Sequence, residues 1–224
     1  MIAENLAKIK ENIKTAAINS GRTADDITLV AVTKSVGIDE CNALLNEGHN
    51  VFGENRVQAL CDKFQTLGSS VTWHLIGHLQ TNKVKYIMDK VSLIHSVDSV
   101  HLAEEINRLA IKSGITKDIL LQVNVSGEES KFGMEEKSLF PTLEKISAME
   151  GIKVRGLMTI PPVSFEKGAN RKHFAKLYEL FEQVKNNQGS NIFADYLSMG
   201  MSDDYEDAIL EGANIVRVGR ALYI

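Results

Sequence analysis

The sequence predicts an α/β fold, a single (β/α)8 TIM barrel over residues 1–224 with an extra N-terminal helix. Three observations carry the prediction. Short apolar runs recur along the chain, amphipathic stretches of helical period separate them, and glycines mark the helix-to-strand joints. Strands alternating with helices imply parallel pairing through right-handed crossovers. At 224 residues, eight such strands are better accommodated by closure than by an open doubly wound sheet.

The first helix is predicted over Ile2–Asn19, where Leu6, Ile9, Ile13 and Ala16–Ala17 share a face and Ser20–Gly21 ends the run. The apolar runs follow as Thr28–Thr33, Asn50–Phe52, Val71–Ile76 and Ser92–Val97, then Ile119–Val125, Ile152–Met158, Tyr196–Met199 and Ile215–Val218. Several are nearly continuous in apolar residues, as strands buried on both faces are. Helical patterns lie between them at Asp39–Glu47, Val100–Ser113, Glu135–Met149 and Arg171–Asn186. Gly21, Gly48, Gly114, Gly151 and Gly212 stand where an αβ loop needs a left-handed cap.

Hydrophobic residues make up 44% and charged residues 24%, so the chain can bury a large core. The net charge of −4 argues against non-specific nucleic-acid binding, although it leaves a local anion site open. No run of about 18 apolar residues is present, so no membrane span is expected. The N-terminal residues lack an apolar signal region, and Cys41 and Cys61 form neither a C-x-x-C pair nor a zinc pattern. A cytoplasmic protein is the expectation, and a monomer, because no heptads or dimerisation domain are visible.

A barrel of this kind places its chemistry at the C-terminal strand ends. Lys34 directly follows the apolar Leu29–Val32 run and would point into the mouth. Burial would lower its pKa and leave a nucleophilic amine that forms Schiff bases, while a lysine that reaches solvent or pairs with an acid remains open. Ser198–Ser202 and Val218–Ala221, with Gly219 and Arg220, follow the seventh and eighth strands, where barrels often bind phosphate. A phosphorylated aldehyde is the simplest ligand using both features. Arg217 ends the eighth strand; it would donate to a ring nitrogen, or pair with Asp203, Asp204 or another loop acid. His74 and His78 lack the helical spacing of a zinc pair, Asn55 suits either a ligand or a helix cap, and His95, His101 and His173 read as surface or packing residues.

The sequence resembles the pyridoxal phosphate homeostasis proteins, single-domain relatives of the alanine racemase barrel, which is fold type III. The resemblance rests on LVAVTKS (Leu29–Ser35), FGENRVQ (Phe52–Gln58), WHLIGHLQTNKVK (Trp73–Lys85) and HSVDS (His95–Ser99). It continues in QVNVSGEESKFG (Gln122–Gly133), VRGLMTI (Val154–Ile160), LSMGMSDDYEDAI (Leu197–Ile209) and GANIVRVGRALY (Gly212–Tyr223). It implies pyridoxal 5′-phosphate (PLP) held as an aldimine on Lys34 and Arg217 facing the pyridine nitrogen. Ser202, with Gly219 and Arg220, would hold the phosphate, Ser198 would lie close by, and Asn55, His74, Met158 and Met199 would line the pocket. Many relatives carry a small hydroxyl residue where Arg220 stands, so its side chain either adds charge or turns away. The implied role is intracellular vitamin B6 homeostasis as a carrier or regulator without established turnover, with PLP-dependent acceptor enzymes as partners. A weak amino-acid racemase, needing a second base such as His74 or Tyr205, is one alternative. A Schiff-base aldolase acting on a sugar phosphate is another.

Overall fold

The computed structural model describes residues 1–128, 132–164, 166–186 and 189–224. Glu129–Lys131, part of the QVNVSGEESKFG block, lie outside the described residues. The strands are β1 Thr28–Val32, β2 Val51–Glu54, β3 Thr72–Leu75, β4 Val91–Val97, β5 Lys117–Asn124, β6 Met134–Glu135, β7 Ile152–Met158, β8 Ile192–Ser198 and β9 Ile215–Val218. Eight of them form the ring β4-β3-β2-β1-β9-β8-β7-β5, closed by a β4–β5 pairing, and β6 attaches to β5 at the side. Every pairing is parallel. The expected (β/α)8 barrel is therefore the observed one.

The helices are α1 Ile2–Asn19, α2 Ile38–Asn46, α3 Val57–Leu67, α4 Val100–Lys112, α5 Leu139–Ile146, α6 Arg171–Asn186, α7 Tyr205–Leu210 and α8 Arg220–Tyr223. The structure shortens the helix expected over Glu135–Met149. Met134–Glu135 pair with β5 instead, and α5 starts at Leu139 with Pro141 in its first turn, where a missing N–H costs no intrahelical bond. Gly151 also departs from expectation: it lacks positive φ, and close packing explains it, since an added Cβ would stand 2.6 Å from Asn107 O.

Outward-facing strand residues and the helices make the larger core. Phe52 and Trp73, both 0% exposed, meet edge-on there at 5.8 Å, and each large side chain so buried contributes roughly 1.5–3 kcal/mol. Inside the ring a smaller cluster of Val30, Leu93, Leu120, Met158 and Ile215 fills the barrel. α8 is a single turn, and α1 packs beside it, against α7 and α2, completing the outer layer. Asn12 Nδ2 donates to Tyr205 Oη at 2.9 Å and Asn5 Nδ2 to Leu222 O at 3.2 Å, fastening that helix down.

Candidate ligand site at the barrel mouth

The two-residue alternation of a strand decides which side chains reach the interior. Val30 belongs to the inner cluster, so Val32 and then Lys34 follow it toward the mouth of β1. The β1–β9 register pairs Val30 with Arg217, placing the guanidinium lower in the same interior. The β2–β3 register pairs Gly53 with His74, and Asn55 continues the inward face of β2. Met158 is in the inner cluster, and Ser198 pairs with Ile215 on the neighbouring strand. Interior positions of six ring strands thus converge on one end of the barrel.

A chain of buried hydrogen bonds crosses this interior. Arg217, 3% exposed, donates from Nη1 to Ser198 Oγ at 2.5 Å and from Nη2 to Thr159 O at 2.9 Å. Ser198 Oγ lies 2.9 Å from His95 Nδ1, and His95 Nε2 lies 3.0 Å from His74 Nδ1. Burial holds the His74 pKa down at about 4. His95 falls well below the usual imidazole value, from burial first and then from His74 and the Arg217 charge. Both rings are neutral at pH 7. Burial also lowers Arg217 to about 10, partly offset by the Asp204 charge, so it remains a cation. No carboxylate forms an ion pair with it among the described residues, which removes the expected alternative of a salt bridge to Asp203 or Asp204.

At the rim above Arg217, Ser202 Oγ accepts N–H groups of Gly219 at 3.2 Å and Ala221 at 3.3 Å. A hydroxyl that accepts twice still has its own proton to give. Together with the backbone N–H of Arg220, the first residue of α8, it forms a donor corner suited to an anion. The Arg220 side chain turns outward and pairs with Asp203, leaving only its backbone for that corner. Behind Lys34, Glu54 Oε1 accepts Thr33 Oγ1 at 2.7 Å and Lys63 Nζ at 2.5 Å, and Lys63 Nζ also reaches Thr33 O at 2.5 Å.

Four expectations change. Lys34 is exposed, in the turn after the β1 ladder ends at Val32, and is not the buried lysine that the sequence suggested. Met199, 0% exposed, packs in the outer core, because it alternates with the inward Ser198. Tyr205 is buried between the barrel and α1, its hydroxyl bonded to Asn12, and cannot serve the mouth as a base. His95 is 0% exposed at the centre of the polar chain and is neither a surface nor a simple packing residue. Asn55 is half-buried and has no capping bond to α3, whose N-cap is Arg56. Among the described residues, no group of three or more His, Cys, Asp or Glu is placed to hold a metal.

The profile of the family described as "Alanine racemase, N-terminal domain" matches residues 5–224. A pyridoxal phosphate homeostasis protein of Aquifex aeolicus is 43% identical over 221 residues, which are 98% of this chain and 96% of the relative. The crystal structure of an unknown protein from Bifidobacterium adolescentis superposes with a TM-score of 0.92 at 35% identity, covering 99% of this chain and 94% of its own. PipY of Synechococcus elongatus is 31% identical with 100% of both chains covered, and its TM-score is 0.90 without PLP. Its structure with PLP bound superposes at 0.87. With the barrel, the ordered sequence blocks and these full-length matches in agreement, the chain belongs to the pyridoxal phosphate homeostasis proteins of the alanine racemase N-terminal domain family.

Proposed function

We propose that this chain holds PLP covalently on Lys34 Nζ and serves PLP homeostasis as a carrier or regulator without turnover of its own. One observation carries the reading: Arg217, a buried guanidinium with no carboxylate partner among the described residues, shares a barrel mouth with the exposed Lys34. A buried cation of this kind is suited to an acceptor atom from a ligand. PLP supplies an aldehyde carbon for the amine, a pyridine nitrogen that accepts, and a phosphate. Arg217 would donate to the ring nitrogen, and Ser202 Oγ with backbone groups of Gly219 and Arg220 would hold the phosphate. Asn55, His74, Met158 and Ser198 would form the walls. The likeness to PipY, whose structure contains PLP, supports the assignment.

The same geometry supports binding over turnover. Racemisation needs a second base at the mouth. Tyr205 is not there, and His74, with its pKa near 4, is a poor base. An arginine at the ring nitrogen also makes the ring a weaker electron sink than a carboxylate partner would. The reading includes a cytoplasmic monomer that passes PLP to PLP-dependent enzymes. It accords with there being, among the described residues, no helix long and apolar enough to cross a membrane.

The test is the visible spectrum of the purified protein with PLP, before and after borohydride. A band that borohydride bleaches, absent in Lys34→Ala, is expected. A wild-type protein that stays colourless with added PLP would overturn the reading and favour an aldolase-type barrel for sugar phosphates. Passage of PLP to an apoenzyme faster than release into buffer is expected of a carrier.

A further inference from the structure

We propose that Ser198 and His95 are positioning residues that fix His74 as its Nε2–H tautomer, so that His74 offers the mouth a hydrogen-bond donor and not a base. The direction of every bond follows from Arg217. A guanidinium only donates, so Ser198 Oγ accepts from it, at 2.5 Å. Ser198 is 0% exposed, and the acceptor in reach of its own proton is His95 Nδ1 at 2.9 Å. A neutral imidazole that accepts at Nδ1 carries its proton on Nε2. That proton faces His74 Nδ1 at 3.0 Å, so His74 also accepts at Nδ1 and is protonated at Nε2. The reverse direction would strand the Ser198 hydroxyl proton in a dry interior, and buried donors are rarely left unmet. A further proton on either ring would put a second cation beside Arg217, which has no ion pair among the described residues.

His74 retains 7% of its surface, and among the described residues its Nε2 is the ring nitrogen without a partner. The ligand group that Nε2–H recognises is an acceptor, such as a phenolate or carbonyl oxygen. Toward PLP this rests on the reading above; the tautomer itself does not. The inference also removes the remaining candidate for a second base, because Nδ1 of His74 is occupied and Nε2 holds the proton.

The experiment uses ligand-free protein labelled with ¹⁵N-histidine and two-bond ¹H–¹⁵N correlation spectra, with His74→Gln and His95→Gln to assign the signals. Wild-type His74 and His95 are both expected as neutral Nε2–H forms. In Ser198→Ala the directing hydroxyl is gone, and His74, which is linked to Ser198 through His95, is expected to shift toward a mixture of tautomers. Ser198→Thr should restore the wild-type pattern. A wild-type His74 protonated at Nδ1, or a His74 spectrum unmoved by Ser198→Ala, would overturn the proposal. The wild-type spectrum decides the tautomer even if a variant fails to fold. PLP titration then separates the two ideas. Ser198→Ala should keep the Lys34 band with PLP affinity lowered on the order of tenfold, and undiminished affinity would defeat the ligand half of the inference. A wild type that forms no band would defeat the PLP reading and leave the tautomer result standing.

Discussion

Glu54 stands on the opposite side of the β1 terminus from the ligand mouth, yet it governs the residue beside Lys34. Its side chain is 1% exposed and Lys63 is 12% exposed, so their ion pair is dry and unscreened. Both also bond Thr33, the residue before Lys34. Glu54→Ala should destabilise the protein by about 3–5 kcal/mol, because Lys63 is left as a buried charge without its partner. The double variant Glu54→Ala, Lys63→Met should recover part of that loss in urea unfolding; strictly additive losses would show that the two residues do not act as a pair. Lys34 and Arg217 were legible in the sequence because a cation beside or within an apolar strand is conspicuous. His95 was not, since its importance lies in a bond to Ser198, 103 residues away along the chain. Met199 was misplaced for another reason: a shared sequence block does not say which face of a strand a residue occupies, whereas alternation from Ser198 does.

Among the elements, the strands were the most legible, because β-branched and aliphatic runs bounded by glycine have few other readings. α3 was anticipated only as the helix that Asn55 would cap, although Val57, Leu60, Cys61, Phe64 and Leu67 recur at helical spacing and all pack on the core. The link from β3 to β4 is a 3₁₀ stretch, Thr81–Tyr86, which has no amphipathic signature to read. Register irregularities are invisible in sequence, and one makes a sharp prediction. Between β7 and β8 the register shifts from Val154 to Gly156. Gly156 has φ +145°, and an added Cβ would fall 1.8 Å from Tyr196 O, a backbone atom that cannot move aside alone. Gly156→Ala should therefore cost about 3 kcal/mol in backbone strain and overpacking, a fall of roughly 10 °C in Tm at this chain size. A thermal melt of the variant checks it. An unchanged Tm would mean that the β7–β8 seam repacks freely, contrary to its close approach.

At the scale of the molecule, three buried neutral histidines make stability depend on pH. His49, at the entry to β2, is held at about 4 by burial, with a smaller contribution from the Lys10 charge, and its Nε2 has no partner. His74 is likewise near 4, and burial holds His95 well below the usual imidazole value. An unfolded histidine titrates near 6.5. Above that pH neither state binds the proton, and the full stability is present. Below it the unfolded chain takes up protons that the folded chain refuses, so stability falls as pH drops from 6.5 toward 4. For His49 alone the loss by pH 5 is about 2 kcal/mol. Between pH 6.5 and 5 the carboxylates contribute little, so urea unfolding in that window reads the histidines almost by themselves. His49→Phe keeps a ring against Phe52 and removes one titrating group. Its stability should decline with pH by about one proton less than wild type. Parallel slopes in the two proteins would mean that His49 takes its proton in the folded state, and the acid sensitivity would then reside in the His74–His95 pair at the ligand mouth.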